Sequence, residues 1–127
     1  MSKHTAVWID HKEAKLFAID TNTIEHTTVH APASHIHNKH PRGPFEAKAH
    51  PNDAKIFFHD IAQLLANSEE ILVVGPSTAK LELLRYLHAH AHVIESKIVG
   101  VETVDHPTDG QLVAYAKKYF ARVDKML

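Results

Sequence analysis

The chain has 127 residues, 44% of them hydrophobic, and 14 basic against 15 acidic side chains give a formal charge of -1. That suffices for one domain with an ordinary core and leaves no room for a second. The near-neutral balance excludes a polycation that coats nucleic acid, so any such contact is local. Cysteine is absent, which excludes disulfides, thiol nucleophiles and Cys-based zinc sites, and thirteen histidines are the outlier.

In chain order, Thr5 to Asp10 alternates Val7 and Ile9 with Ala6 and Trp8, and Ala14 to Asp20 alternates Leu16 and Ala18 with Lys15, Phe17 and Ile19. Both predict strands. The short polar link from Asp10 to Glu13 predicts a hairpin, and Asp20 to Thr23 the next turn. Ile24 to His30 predicts a Thr-rich third strand, completing an antiparallel meander. Residues 31–51 then form a long His-rich connection punctuated by Pro32, Pro41, Pro44 and Pro51. Asn52 or Asp53 is expected to cap a helix with Ile56, Phe57, Ile61, Leu64 and Leu65 at helical spacing.

Glu70 to Gly75 holds an unbroken apolar run, Ile71 to Val74, as expected of a central parallel strand buried on both faces. A turn at Gly75 to Thr78, with Ser77 or Thr78 as cap, leads into a helix carrying Leu81, Leu84 and Leu87 and ending near His88 to His92. Lys97 to Asp105 predicts a fifth strand. Thr108 and Gln111 fit a capping box before a last helix with Leu112, Ala116, Tyr119, Phe120 and Val123 on one stripe. Trp8, Phe57, Phe58, Tyr119 and Phe120 sit on periodic positions and are assigned to the core. The order β-β-β-α-β-α-β-α, with right-handed crossovers setting the later strands parallel to the first, predicts an α/β, ribonuclease H-like, three-layer fold on a mixed five-stranded sheet. Residues 1–127 are one domain on this reading. No apolar run nears the roughly 20 residues of a membrane span, and Met1 to His4 leads straight into a strand; a soluble, cytoplasmic protein without membrane partners is expected.

Asn38 to Phe45, reading Asn-Lys-His-Pro-Arg-Gly-Pro-Phe, has no regular period, and its prolines and glycine forbid a continuous helix or a central strand. It is expected to project as a loop where the meander meets the alternating half. Lys39-His40-Pro41-Arg42-Gly43-Pro44-Phe45 resembles the signature loop of the middle domain of archaeal and eukaryotic peptide-chain release factors and Pelota, Lys-His-x-Arg-Gly-Gly-Gln. Lys39, His40, Arg42 and Gly43 match, while Pro44 and Phe45 replace the second glycine and the glutamine. Leu72-Val73-Val74-Gly75, with Lys80 beyond it, resembles that domain's apolar strand, glycine and downstream lysine. Stand-alone bacterial-type relatives, small proteins labelled translational machinery or host-attachment proteins, look most similar, a resemblance that carries no known chemistry.

The resemblance implies the same fold and binding to the ribosome, to its RNA or to tRNA, with the loop entering the peptidyl transferase centre. The family's glutamine helps water attack peptidyl-tRNA; Phe45 has no polar group for that task and Pro44 lacks an amide donor, so no catalytic residue is assigned. The contact set expected instead is Lys39 and Arg42 on phosphates, His40 and Phe45 stacking on bases or packing in an RNA crevice, Gly43 in the turn and Lys48 beside it. Glu46 offsets part of this charge. His30, His35, His37, His40 and His50, with reference pKa values of about 6.5, make the region more positive on mild acidification.

Other constellations are weaker. His35-x-His37 is a minor candidate for a metal, as is His88-x-His90-x-His92, for which no carboxylate is expected to complete a site; no cofactor is assigned. A two-metal nuclease would need Asp10 with partners such as Asp60 and Asp109, but the fourth strand ends in Val74-Gly75 where a carboxylate belongs, and Asp10 is expected to shape the hairpin turn. Gly75 to Lys80 is not a Walker motif, because Pro76 removes an amide and no glycine precedes the lysine. A protein-interaction module, acting through a sheet edge or a loop and binding a partner protein or a second copy of itself, is the alternative.

Overall fold

The computed structural model describes residues 4–20, 22–32 and 51–126. Strands β1 (His4–Ile9), β2 (Glu13–Ile19) and β3 (Ile24–His30) precede helix α1 (Pro51–Leu65). Then follow β4 (Glu70–Gly75), α2 (Ala79–His90), the one-turn α3 (His92–Glu95), β5 (Ile98–Thr103) and α4 (Asp109–Met126). All lie in one sheet ordered β3-β2-β1-β4-β5. Antiparallel pairing joins β1 to β2 and β2 to β3; parallel pairing joins β1 to β4 and β4 to β5. This is the ribonuclease H-like order expected from the sequence.

The sheet separates two cores, which is why its central strands are apolar on both faces. Val7, Ile9, Leu16, Ile71 and Val73 meet Phe57, Phe58, Ile61 and Leu65 of α1 and Leu83 and Leu87 of α2. On the other face Ala6, Trp8, Phe17, Ile19, Leu72 and Val74 meet Leu112, Ala116 and Phe120 of α4. Ile71 to Val74 are fully buried, as an unbroken run on a central parallel strand requires. At the edge, six of the seven β3 residues are exposed.

Local chemistry sets the boundaries. Asp10 Oδ1 accepts the amides of Lys12 at 2.8 Å and Glu13 at 2.9 Å, closing the hairpin as expected. Thr108 and Gln111 form the reciprocal capping box, with bonds of 3.0 and 3.1 Å. Other expectations are corrected. Helix α1 begins at Pro51, whose fixed φ suits a first turn, so Asn52 and Asp53 stand inside the helix instead of capping it. Thr78 is the N-cap residue of α2 but makes no side-chain cap bond, its hydroxyl turning to Glu82 at 3.4 Å, while Ser77 Oγ accepts the Ala79 amide at 3.5 Å. Ile56 and Leu64 are exposed, because the buried face of α1 runs through Phe57, Phe58, Ile61 and Leu65. In α2 the buried leucines are Leu83 and Leu87, while Leu81 is exposed on the outer face.

Candidate nucleic-acid interface

Strands β1, β3, β4 and β5 all point the same way, so their carboxyl ends share one rim. The β1–β2 hairpin at Asp10–Lys12, the β4–α2 turn at Gly75–Thr78 and the segment Val104–Thr108 meet this rim. The chain beyond β3 starts here too, since the Ala31 amide bonds to the Lys12 carbonyl at 2.8 Å. Helix α1 carries the chain back to the opposite end, where Ser68 meets Thr5, so its first turn also belongs to the rim side. Lys39, His40, Arg42, Gly43, Phe45 and Lys48, like His35 and His37, fall in the stretch 33–50 and lie outside the described residues.

Several ionisable side chains of the described rim stand in pairs. His11 meets Glu82 at 3.2 Å, His30 meets Glu13 at 3.8 Å, Lys15 meets Asp109 at 3.3 Å and His106 meets Asp105 at 2.9 Å. Flat surfaces stand beside them. The His26 ring stacks on Phe17 at 4.5 Å and 14°. Trp8 is held by its indole N–H, which donates to the Asp105 carbonyl at 2.8 Å, with the His106 ring 5.2 Å away. Next to them a groove of about 530 Å³ is lined by Asp105, His106, Pro107, Gln111, Leu112 and Tyr115. Burial, then the Glu102 carboxylate and Tyr119, push the Tyr115 phenol above its ordinary range. Neither His26 nor this groove was singled out from sequence; their juxtaposition comes from the β2–β3 register and the path after β5.

The enzyme-like alternatives resolve into structural roles. Asp10 serves the hairpin, Asp60 is exposed on α1, and Asp109 faces Lys15 and His26. None of these three enters either cluster of potential metal ligands among the described residues. Lys80 is 7% exposed and donates to the Ser77 carbonyl at 2.7 Å, which commits its ammonium to the turn instead of to a phosphate. At the other end of α2 the expectation of a missing carboxylate is corrected. The helix breaks at Ala91, and α3 brings Glu95 beside His88 at 3.1 Å and His92 at 3.5 Å. The signal was the i, i+4, i+7 spacing of His88, His92 and Glu95, not the alternate histidines.

No protein-family model matches the sequence, and no curated protein matches it. Solved structures do. Pelota from Thermoplasma acidophilum superposes with a TM-score of 0.58 and 25% identity, over 86% of this chain and 30% of its own. Pelota from Archaeoglobus fulgidus gives 0.63 and 15% over 91% and 31%, and the archaeal translation termination factor aRF1 gives 0.57 and 12% over 97% and 41%. This chain thus spans well under half the length of these proteins. No helix among the described residues is long and apolar enough to cross a membrane. The fold of this chain is the one found within Pelota and the archaeal termination factor.

Proposed function

We propose that the protein is a non-catalytic, translation-associated domain that binds ribosomal RNA through residues 39–48. The fold's likeness to part of Pelota and of a translation termination factor is the observation that carries this reading. The rim supports it: the described fold ends at Pro32 and resumes at Pro51 on this side, next to stacked and grooved aromatic surface. Lys39 and Arg42 take phosphates, His40 and Phe45 take bases or an RNA crevice, Gly43 gives the turn, and Lys48 adds charge. With Pro44 and Phe45 in place of an amide-bearing pair, the domain occupies a site without hydrolysing an ester, as a rescue, hibernation or modulating factor in the cytoplasm.

The test is co-sedimentation with ribosomes at low and moderate salt, wild type against a Lys39→Ala, Arg42→Ala double variant of equal stability. Wild type sediments with ribosomes, increasingly less as salt rises, and the variant stays in the supernatant. Equal sedimentation of both would remove the loop from the interface; sedimentation of neither would remove the ribosome.

A second reading is favoured by β3. It forms a seven-residue sheet edge whose outer side has no strand partner among the described residues, and Ile24 on it is 43% exposed. Such an edge suits strand addition by a partner protein or by a second copy of this chain. Binding that survives high salt distinguishes it from the RNA reading.

A further inference from the structure

At the end of the sheet opposite the rim, three potential ligands converge from three elements. His4 opens β1, Glu70 opens β4 and is its register partner, and Asp124 lies near the end of α4. His4 Nε2 stands 3.2 Å from Glu70 Oε1 and 3.4 Å from Asp124 Oδ2, and ligand atoms of all three lie within 4.8 Å of one another. We propose that His4, Glu70 and Asp124 bind a divalent transition-metal ion, zinc being the best fit, which ties α4 to the amino ends of β1 and β4.

The spacing fits the ion. Bonds of about 2.0–2.2 Å around a tetrahedral zinc set neighbouring donor atoms roughly 3.3–3.6 Å apart, and the two contacts of His4 fall at or just below that range. Hydrogen bonding supplies the independent observation: His4 Nε2 and Glu70 Oε1 are both buried and neither has a hydrogen-bond partner. They face each other at contact distance without the alignment a hydrogen bond needs, so each is left with an unmet demand that buried polar atoms rarely carry. A cation between them meets both. Charge points the same way, since two carboxylates share this corner with one imidazole. The Phe120 ring, 4.6 Å from the imidazole and tilted by 56°, holds its plane. One nitrogen and two oxygens suit zinc and leave one position for water.

The His88, His92 and Glu95 cluster lacks this unmet demand. Both Glu95 oxygens already accept from His88 Nδ1, at 3.1 and 3.2 Å, and the two imidazoles are 69% and 72% exposed. It therefore provides the comparison variant.

The experiment uses the full chain stripped with a chelator, then titrated with Zn²⁺ while thermal unfolding is followed, and with Co²⁺ as a paramagnetic probe by NMR. Wild type and His92→Ala gain several degrees in unfolding midpoint at saturating Zn²⁺; His4→Gln and Asp124→Asn lose most of that gain and bind at least tenfold more weakly. Should either variant fail to fold, wild type alone decides: Co²⁺ shifts fit an ion position between β1, β4 and the end of α4. Zn²⁺ responses that are equal in wild type, His4→Gln and Asp124→Asn overturn the proposal. So does a shift lost only in His92→Ala, or a wild type that Zn²⁺ leaves unchanged, in which case the corner is a plain ion pair with His4 between two acids.

Discussion

Gly75→Ala is the sharpest test of how the rim is built. Gly75 closes β4 without a positive φ, so space, not backbone freedom, calls for glycine. A Cβ there would press into the Ile9 carbonyl oxygen well inside contact distance, with the carbonyl carbon at 3.3 Å and the amide nitrogen at 3.5 Å. The obstacle is backbone of the neighbouring strand, so no side chain can swing aside. Opening β1 from β4 by about 1 Å would take a ladder bond beyond bonding distance, since such bonds span about 2.7–3.2 Å. It would also strain the Val104 amide bond to the Gly75 carbonyl, now 3.1 Å. Two weakened hydrogen bonds at about 0.5–1.5 kcal/mol each, with overpacking at about 1–3 kcal/mol, put the cost at roughly 2–6 kcal/mol. Urea unfolding followed by Trp8 fluorescence reads this as a midpoint lowered by about 1–3 M at a slope of about 2 kcal/mol/M. Gly100→Ala is the contrast: its Cβ meets the Tyr119 hydroxyl and ring edge, so a side chain and not a backbone must shift, and the expected loss is about 1–3 kcal/mol. A Gly75→Ala protein within about 0.5 kcal/mol of wild type would refute the close-approach argument.

Thr5 Oγ1 and Ser68 Oγ share a buried bond of 2.6 Å, so Thr5→Val strands the serine hydroxyl and costs about 1–3 kcal/mol. The Thr5→Val, Ser68→Ala pair should lose less than the sum of its singles in a urea double-mutant cycle, and strict additivity would reject the coupling. Tyr115 keeps its proton above the ordinary phenol range, so the folded state retains that proton after the unfolded chain has released it. Stability must therefore fall as pH rises from the unfolded phenol value through the folded one. Tyr115→Phe abolishes that slope, and phenolate absorbance of the folded protein checks the titration directly. RNA affinity should rise as pH falls from about 7.5 to 6, as the histidines of residues 33–50 gain charge; a flat anisotropy titration across that interval would sink it.

What could be read from sequence tracks how local its cause is. Ile71 to Val74 declared a strand buried on both faces because four apolar residues in a row leave no polar face. Asp10 and the Thr108–Gln111 box were legible because each bond closes within three residues. Periodicity alone misassigned Ile56, Leu64 and Leu81: a helix rich in leucine offers several apolar stripes, and only the sheet's position selects the one that turns inward. The interface residues rest on motif likeness, whereas the His26–Phe17 stack and the groove beside Tyr115 depend on a strand register and a chain path that no local signal encodes. The corner of His4, Glu70 and Asp124 is the extreme case, its members drawn from both ends and the middle of the chain.

The central pairing of β1 with β4 has a consequence for how the chain comes into being. Thr5 waits for Ser68, 63 residues later, and β1 has no second neighbour until β4 has been made. During synthesis the first three strands can form their meander early, but its β1 edge then carries Ala6, Val7, Trp8 and Ile9, apolar on both faces and unprotected. Lengthening the intervening segment would add little entropy of closure, about 0.6 kcal/mol per doubling, so the hazard lies in delay more than in distance. Nascent chains stalled before Glu70 should be the aggregation-prone species, and those released beyond Gly75 should not.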